Sequence, residues 1–269
     1  MRQGWGQGDF PGPFLILAAW LALLAPQAAG AGPMDALLRA YPEALAEFDG
    51  TSLIWRDGTR MPVGVGGPER SLEQQLRDGS ILDQMRLAYP AGAPLLPAPE
   101  QDAGRVRNRA FFAKMYGNCW AGEVAPKLVR VVWLPRTWGH TVNITAVNGV
   151  DRRLAAISRE LDDLPAEDRK YLYPLGGSYV CRTVADTGQP SQHAAGAAID
   201  LNPAYSDYWL WHRSGGRVPA YVNRIPLEIV TIFERHGFIW GGRWAHFDTM
   251  HFEYRPELLR YDPKVQDIQ

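Results

Sequence analysis

Two imidazoles and two carboxylates are carried by Ser191-Gln192-His193-Ala194-Ala195-Gly196-Ala197-Ala198-Ile199-Asp200 and by Asp248-Thr249-Met250-His251. Such a set can hold one metal ion and work a bound water, which is the outline of a zinc hydrolase. On a continuous helix His193 and Asp200 would stand about 10 Å apart along the axis, too far to share an ion. The connection must therefore turn, and Ala194, Ala195, Gly196 and Ala197 are small enough to allow it. Ala198-Ile199-Asp200-Leu201 then reads as a short buried strand closed by Asn202-Pro203, with Asp200 facing His193. The stretch from Thr249 to Tyr254 alternates, placing Met250, Phe252 and Tyr254 on one face and Thr249, His251 and Glu253 on the other, as in a strand. His193, Asp200 and His251 make a three-ligand set whose fourth position is left to water, as in catalytic zinc sites. Asp248 remains to act as general base.

These motifs resemble a known family. Ser-x-His-x6-Asp followed by Asp-x-x-His is similar to the zinc D-alanyl-D-alanine carboxypeptidases of the VanY type and the related peptidoglycan L-alanyl-D-glutamate endopeptidases. Phe111-Phe112-Ala113-Lys114-Met115-Tyr116-Gly117, Trp240-Gly241-Gly242-Arg243-Trp244 and Phe247 to Glu257 extend the similarity over residues 105 to 260. The resemblance implies His193, Asp200 and His251 as zinc ligands and Asp248 as base, the aspartate being closer to the endopeptidase-like branch than to the dipeptidase branch. It also implies an arginine upstream of the first ligand that steadies the oxyanion or grips a substrate carboxylate, and Arg182 is the candidate. The implied reaction is hydrolysis of a peptide bond in bacterial cell-wall stem peptides, beside a D-amino acid. Zinc would activate the attacking water, Asp248 would shuttle the proton, and no organic cofactor would be needed.

Several residues compete for these roles. His246, five residues before His251, can be a neighbouring or substrate-contacting group, and Glu253 can orient the His251 ring or replace Asp248 as base. Asp200 can simply cap a turn before Asn202-Pro203. Among the remaining histidines, His140, His212 and His236 read as surface or hydrogen-bonded residues. A different class of protein, a non-catalytic zinc-stabilised binding module like the hedgehog domains, would have no use for Asp248. An Fe(II) oxygenase with two histidines and one carboxylate would ordinarily carry a His-x-Asp pair, which is missing around His193.

The elements that must position these groups follow from pattern. Phe14 to Ala25 is a twelve-residue apolar run behind Arg2 and ahead of Ala29-Gly30-Ala31, too short for an ordinary membrane span, which reads as a cleaved export leader over residues 1–31, with an uncleaved anchor or a simple hydrophobic tail as the alternative. The expected location is periplasmic or extracellular. Cys119 and Cys181 are the only cysteines, an even number that an oxidising compartment could join, with two buried thiols as the alternative. The net charge of −1 and the lack of a basic run argue against nucleic acid or an anionic membrane surface as partner. Nothing in the pattern fixes the oligomeric state.

Residues 32–104 read as an N-terminal extension: a helix from Met34 to Phe48, a hairpin of Leu53-Ile54-Trp55 and Met61-Pro62-Val63 around Asp57-Gly58, and a helix opened by the Ser71/Gln74 capping box. Ala91 to Gly104, rich in Pro, Ala and Gly, reads as a linker or surface loop. The catalytic domain, 105–269, is expected to hold a helix from Asn108 to Tyr116, strands at Leu128–Leu134 and Thr141–Val147, a helix with an apolar stripe of Val150, Leu154, Ile157 and Leu161, and a helix from Leu227 to His236 packing through Leu227, Val230 and Phe233. The expected fold is α+β, a small, mostly antiparallel sheet with flanking helices carrying the metal site, which the resemblance relates to the hedgehog domains. Tyr205, Tyr208, Trp209, Trp211, Trp240 and Trp244 gather near the two motifs in sequence, with Trp240 expected in the core and Trp244 on a cleft wall. Asn143-Ile144-Thr145 fits a glycosylation sequon, of interest only in a eukaryotic secretory route.

Overall fold

The computed structural model describes residue 1 and residues 32–64, 70–92, 96–97, 101–214 and 219–260. The expected leader, much of the Ala91–Gly104 stretch and the last nine residues lie outside the described residues.

Helix α1 (Pro33–Ala40) opens with the Gly32 amide donating to the Asp35 carboxylate. It stops eight residues earlier than its pattern predicts. Pro42 disfavours helix at Tyr41, and Leu45–Phe48 becomes strand β1 instead. Strand β1 pairs antiparallel with β2 (Ser52–Trp55), which pairs with β3 (Arg60–Pro62), so the expected hairpin is present and gains a third strand. The Ser71/Gln74 capping box starts α2 (Leu72–Asp78), and Ser80 caps the short α3 (Ile81–Gln84).

Asn108 caps α4 (Arg109–Tyr116) by accepting from the Phe111 amide at 2.9 Å. Strands β4 (Leu128–Trp133) and β5 (His140–Thr145) form a two-stranded antiparallel ribbon. Asn148 and Gly149, both at positive φ, turn the chain into α5 (Val150–Leu161), whose Val150, Leu154, Ile157 and Leu161 are all buried as the stripe required. After the single turn of α6 (Arg169–Leu172) comes β6 (Ala198–Asp200). Helix α7 (Leu227–Arg235) buries Ile229, Val230, Ile232 and Phe233, whereas Leu227 stays exposed at its first turn. Strands β7 (Phe238–Trp240) and β8 (His251–Tyr254) and the turn of α8 (Pro256–Leu259) are the last of the described elements.

Among the described residues the architecture is mixed α and β with antiparallel pairing, divided among three small sheets rather than one: β1-β2-β3, β4-β5 and β6-β8-β7. One hydrophobic core runs from Met34 and Leu37 on α1 through Phe111, Leu154 and Phe233 to Leu258 on α8. Phe233 stacks on Phe252 at 3.9 Å, which seats α7 against the sheet that carries His251. Tyr41 donates to the Glu257 carboxylate at 2.6 Å, tying the N-terminal segment to the other end of the chain. No helix among the described residues is long and apolar enough to cross a membrane.

Candidate metal centre

The turn between His193 and Asp200 forms because Gly196, at φ +66°, packs where a β-carbon would stand 2.6 Å from the Leu128 side chain, and its carbonyl accepts from the Thr145 amide at 2.8 Å. The chain reverses there and enters β6. Register then does the rest, since Asp200 is the direct cross-strand partner of His251, with Ile199 opposite Phe252 and Ala198 opposite Glu253.

The result is a three-way convergence. His193 Nε2 lies 3.0 Å from Asp200 Oδ1 and 3.2 Å from His251 Nδ1, and His251 Nδ1 lies 3.0 Å from the same carboxylate oxygen. Each ring is anchored through its other nitrogen: His193 Nδ1 donates to the Ser178 carbonyl, and His251 Nε2 donates to Glu253 Oε2 at 2.9 Å. The two remaining nitrogen lone pairs and a carboxylate oxygen therefore aim at one point. Tetrahedral zinc with bonds of about 2.0–2.2 Å keeps its ligand atoms about 3.3 Å apart, so the three are spaced to share an ion.

Charge makes the same demand. His251 is raised to about 10: burial works against its protonation, but hydrogen bonds to Asp200 and Glu253 and their charges outweigh it. Asp200 is held well below the usual carboxylate range, again against burial, by both histidines. A divalent cation would satisfy this call for positive charge, and the donor set fits one.

Asp248 stands beside the ligands in the opposite condition. Burial, and then the charge of Asp200, raise it to about 7 against the pull of His251, Arg182 and Arg105. Its Oδ1 is buried with no hydrogen-bond partner, while its backbone is pinned by donation from its amide to the Gly241 carbonyl at 3.0 Å and by a bridge to Tyr208. A buried carboxylate oxygen left unpartnered next to three converging acceptors is suited to accept a proton from a substrate or water.

Asp200, His251 and the base Asp248 line a cleft of about 290 Å³ with Arg105, Arg107, Arg182, Asp186, Tyr208, Trp209, Trp211, Trp244 and His246, while His193 is buried. Arg182 reaches this cleft exposed, directly after Cys181, its carbonyl accepting from the Ser191 amide at 3.1 Å and its guanidinium without a hydrogen-bond partner among the described residues. Cys119 and Cys181 are bridged, resolving the choice the sequence left open. Glu253 orients the His251 ring. It is fully buried and held to about 2, against burial, by Arg107 at 2.5 Å and by His251, with Arg255 at 3.2 Å beyond them. His246 lines the cleft but is not one of the three converging ligands: its Nδ1 bonds Asp102 at 2.7 Å and its ring meets Trp209 edge-on.

The reading of Ala91–Gly104 as a linker or surface loop fails at its end. Asp102, Ala103 and Gly104 are buried, and the chain running through Arg107 threads the cleft. Asp102 accepts from the His246 amide, Arg105 pairs with Asp102 and Asp186, and Arg107 neutralises Glu253. Three closely spaced polar residues, Asp102, Arg105 and Arg107, after an apolar Pro-rich stretch were the available signal. Of the aromatics, Trp240 is core, donating from its indole to the Thr249 carbonyl at 2.8 Å, and Tyr205 packs on Tyr171 outside the cleft. Trp244 is buried but does line the cleft, its ring 5.6 Å from His251.

Convergent imidazole and carboxylate donors beside an unpartnered carboxylate make a group that could hold a metal ion. The stretch from residue 185 to residue 254 matches the family model described as D-alanyl-D-alanine carboxypeptidase, and over that stretch, which contains His193, Asp200, Asp248 and His251, the chain carries the pattern of this peptidase family. No curated protein and no solved structure matches the chain.

Proposed function

We propose that the protein is an exported zinc metallopeptidase that hydrolyses a peptide bond in bacterial cell-wall stem peptides. The observation that carries this reading is the meeting of His193, Asp200 and His251 at one point beside the unpartnered carboxylate of Asp248.

In this reading His193 Nε2, Asp200 Oδ1 and His251 Nδ1 hold the ion. A divalent cation there supplies Lewis-acid activation of a water and of the scissile carbonyl. Asp248, whose buried Oδ1 has no hydrogen-bond partner, takes the proton released by the attacking water and returns it to the leaving amine. Arg182, unpaired and permanently charged, donates to the developing oxyanion or to a substrate carboxylate. Trp244 and His246 close the inner wall and keep bulk water from the reacting groups. Export is supported by the Cys119–Cys181 bridge, which persists in oxidising compartments, and cell-wall peptides lie in such a compartment. A purely structural ion would leave Asp248 without a task, so the catalytic reading is preferred to a binding module.

The test is to purify the chain without residues 1–31, measure bound metal, and incubate it with defined stem peptides. Product masses report which bond is cut. Turnover that survives complete chelation, or that persists in Asp248→Ala, would overturn the reading.

A further inference from the structure

The cleft has a feature that a short peptide does not use. Trp211 lines it, yet remains 57% exposed, while Trp209 and Trp244 in the same cleft are buried. Its position is nonetheless fixed. The Trp211 amide donates to the Tyr208 carbonyl at 2.9 Å, Tyr208 bridges the backbone of Asp248, and the Trp209 amide donates to the Phe247 carbonyl at 2.9 Å. The lip that carries Trp211 is thus laddered to the segment that carries the proposed base. The Tyr208 ring meets Trp211 edge-to-face at 5.9 Å and 88°, and among the described residues no other ring packs on Trp211. The indole thus lines the cleft on a pinned backbone and is left largely uncovered.

The chemistry around it selects the occupant. An indole face carries negative potential and attracts polarised C–H bonds as well as apolar groups. Arg182, Asp186, Tyr208 and His246 line the same cleft, setting charged and hydroxyl groups beside the apolar surface of Val184, Ala185 and Met250. A ligand that stacks there needs a flat C–H face bordered by hydroxyl or amide groups, which describes a pyranose ring. Stem peptides built of alanine, glutamate and a diamino acid have no large apolar side chain to place on an indole, but the N-acetylated sugar to which they are joined has such a face.

We propose that Trp211 is a saccharide-stacking residue and that the preferred substrate is a stem peptide still linked to its glycan sugar, an inference that rests on the cell-wall peptidase reading above. The experiment compares kcat/KM for one stem peptide in two forms, free and joined to its disaccharide. The native protein is expected to favour the linked form about tenfold, and Trp211→Ala to bring that ratio close to one, while Trp211→Phe keeps part of it. Trp120→Ala removes an equally exposed indole that does not line this cleft and is expected to leave the ratio as it was. A second measurement does not depend on turnover: the metal-loaded Asp248→Ala variant should bind the linked peptide about tenfold more tightly than the free one, and the added Trp211→Ala change should abolish the difference.

If both forms are cut with equal efficiency, or Trp211→Ala lowers both in proportion, the sugar assignment is wrong and the peptidase reading stands. If the native protein cuts neither form, both fall together.

Discussion

The two walls of the cleft are built on opposite principles. On one wall β6 and β8 hold Asp200, His251 and Glu253 by strand register, and the anchoring ring nitrogens of both histidines and the Glu253 carboxylate meet partners in the interior. On the other, Arg182 and Trp211 stand exposed, attached to the fold by a disulfide and by a short backbone ladder. A geometry that must hold an ion within tenths of an ångström calls for buried, over-determined side chains, whereas a surface that receives varied substrate atoms needs unsatisfied ones. The contrast separates where the reaction would be fixed from where its substrate would be chosen.

The strongest way to break that contrast is at the ligands. Alanine at His193, Asp200 or His251 is expected to remove the bound metal and lower turnover by about a thousandfold or more, read by elemental analysis alongside peptide cleavage. Asp248→Asn should keep the metal and still lose about 10²–10⁴ in kcat. Asp248 also gives a signed pH effect in metal-free protein. Its folded pKa, about 7, lies above the unfolded carboxylate value, so between about pH 4 and pH 7 the folded state holds a proton that the unfolded state has released. Stability from this group is therefore full at low pH and lost as pH rises to 7. Chelated Asp248→Asn should unfold later than the chelated native chain at pH 8, with the advantage shrinking toward pH 4, and thermal scans at the two pH values check this.

On the same wall, Glu253→Gln should weaken metal affinity about 10–100-fold by chelator competition. It should also lower stability by about 3–5 kcal/mol in denaturant titration, because Arg107 and Arg255 lose their buried counter-charge. The exposed wall predicts the reverse balance. Arg182→Ala should reduce kcat/KM about tenfold while metal content and melting temperature stay near native. Replacing Cys119 and Cys181 together by alanine should remove about 4 kcal/mol of stability, given the 62-residue separation, and reduce activity only severalfold by loosening the segment that carries Arg182.

How much of this was legible beforehand depended on the range of the interaction. The helical stripe of α5, the capping box of α2 and the Asp57-Gly58 hairpin are local patterns, and they appear where periodicity and turn chemistry placed them. The meeting of His193 with Asp200 was legible because small residues demanded a turn, and the face shared by His251 and Glu253 because β alternation demanded it. The end of α1 was misjudged because apolar spacing continued past Pro42, whose constraint on Tyr41 outweighed it. Leu227 was misassigned because helix phase was read from three apolar positions, while Ile229 and Ile232 also claim the buried face. The role of Asp102, Arg105 and Arg107 was hidden because it exists only through partners far along the chain, at Glu253, Asp186 and His246. Composition marks such a stretch as filler, and only tertiary pairing gives it a purpose.

That threaded stretch limits how the protein can be taken apart. The 70 residues that match the family model, 185–254, end at neither boundary of a self-sufficient piece. Transplanted alone, they would leave behind the guanidinium of Arg107 that neutralises Glu253 and the carboxylate of Asp102 that steadies His246. Any minimal version must carry both stretches, and changes that accumulate in one will be tolerated only as fast as the other can follow.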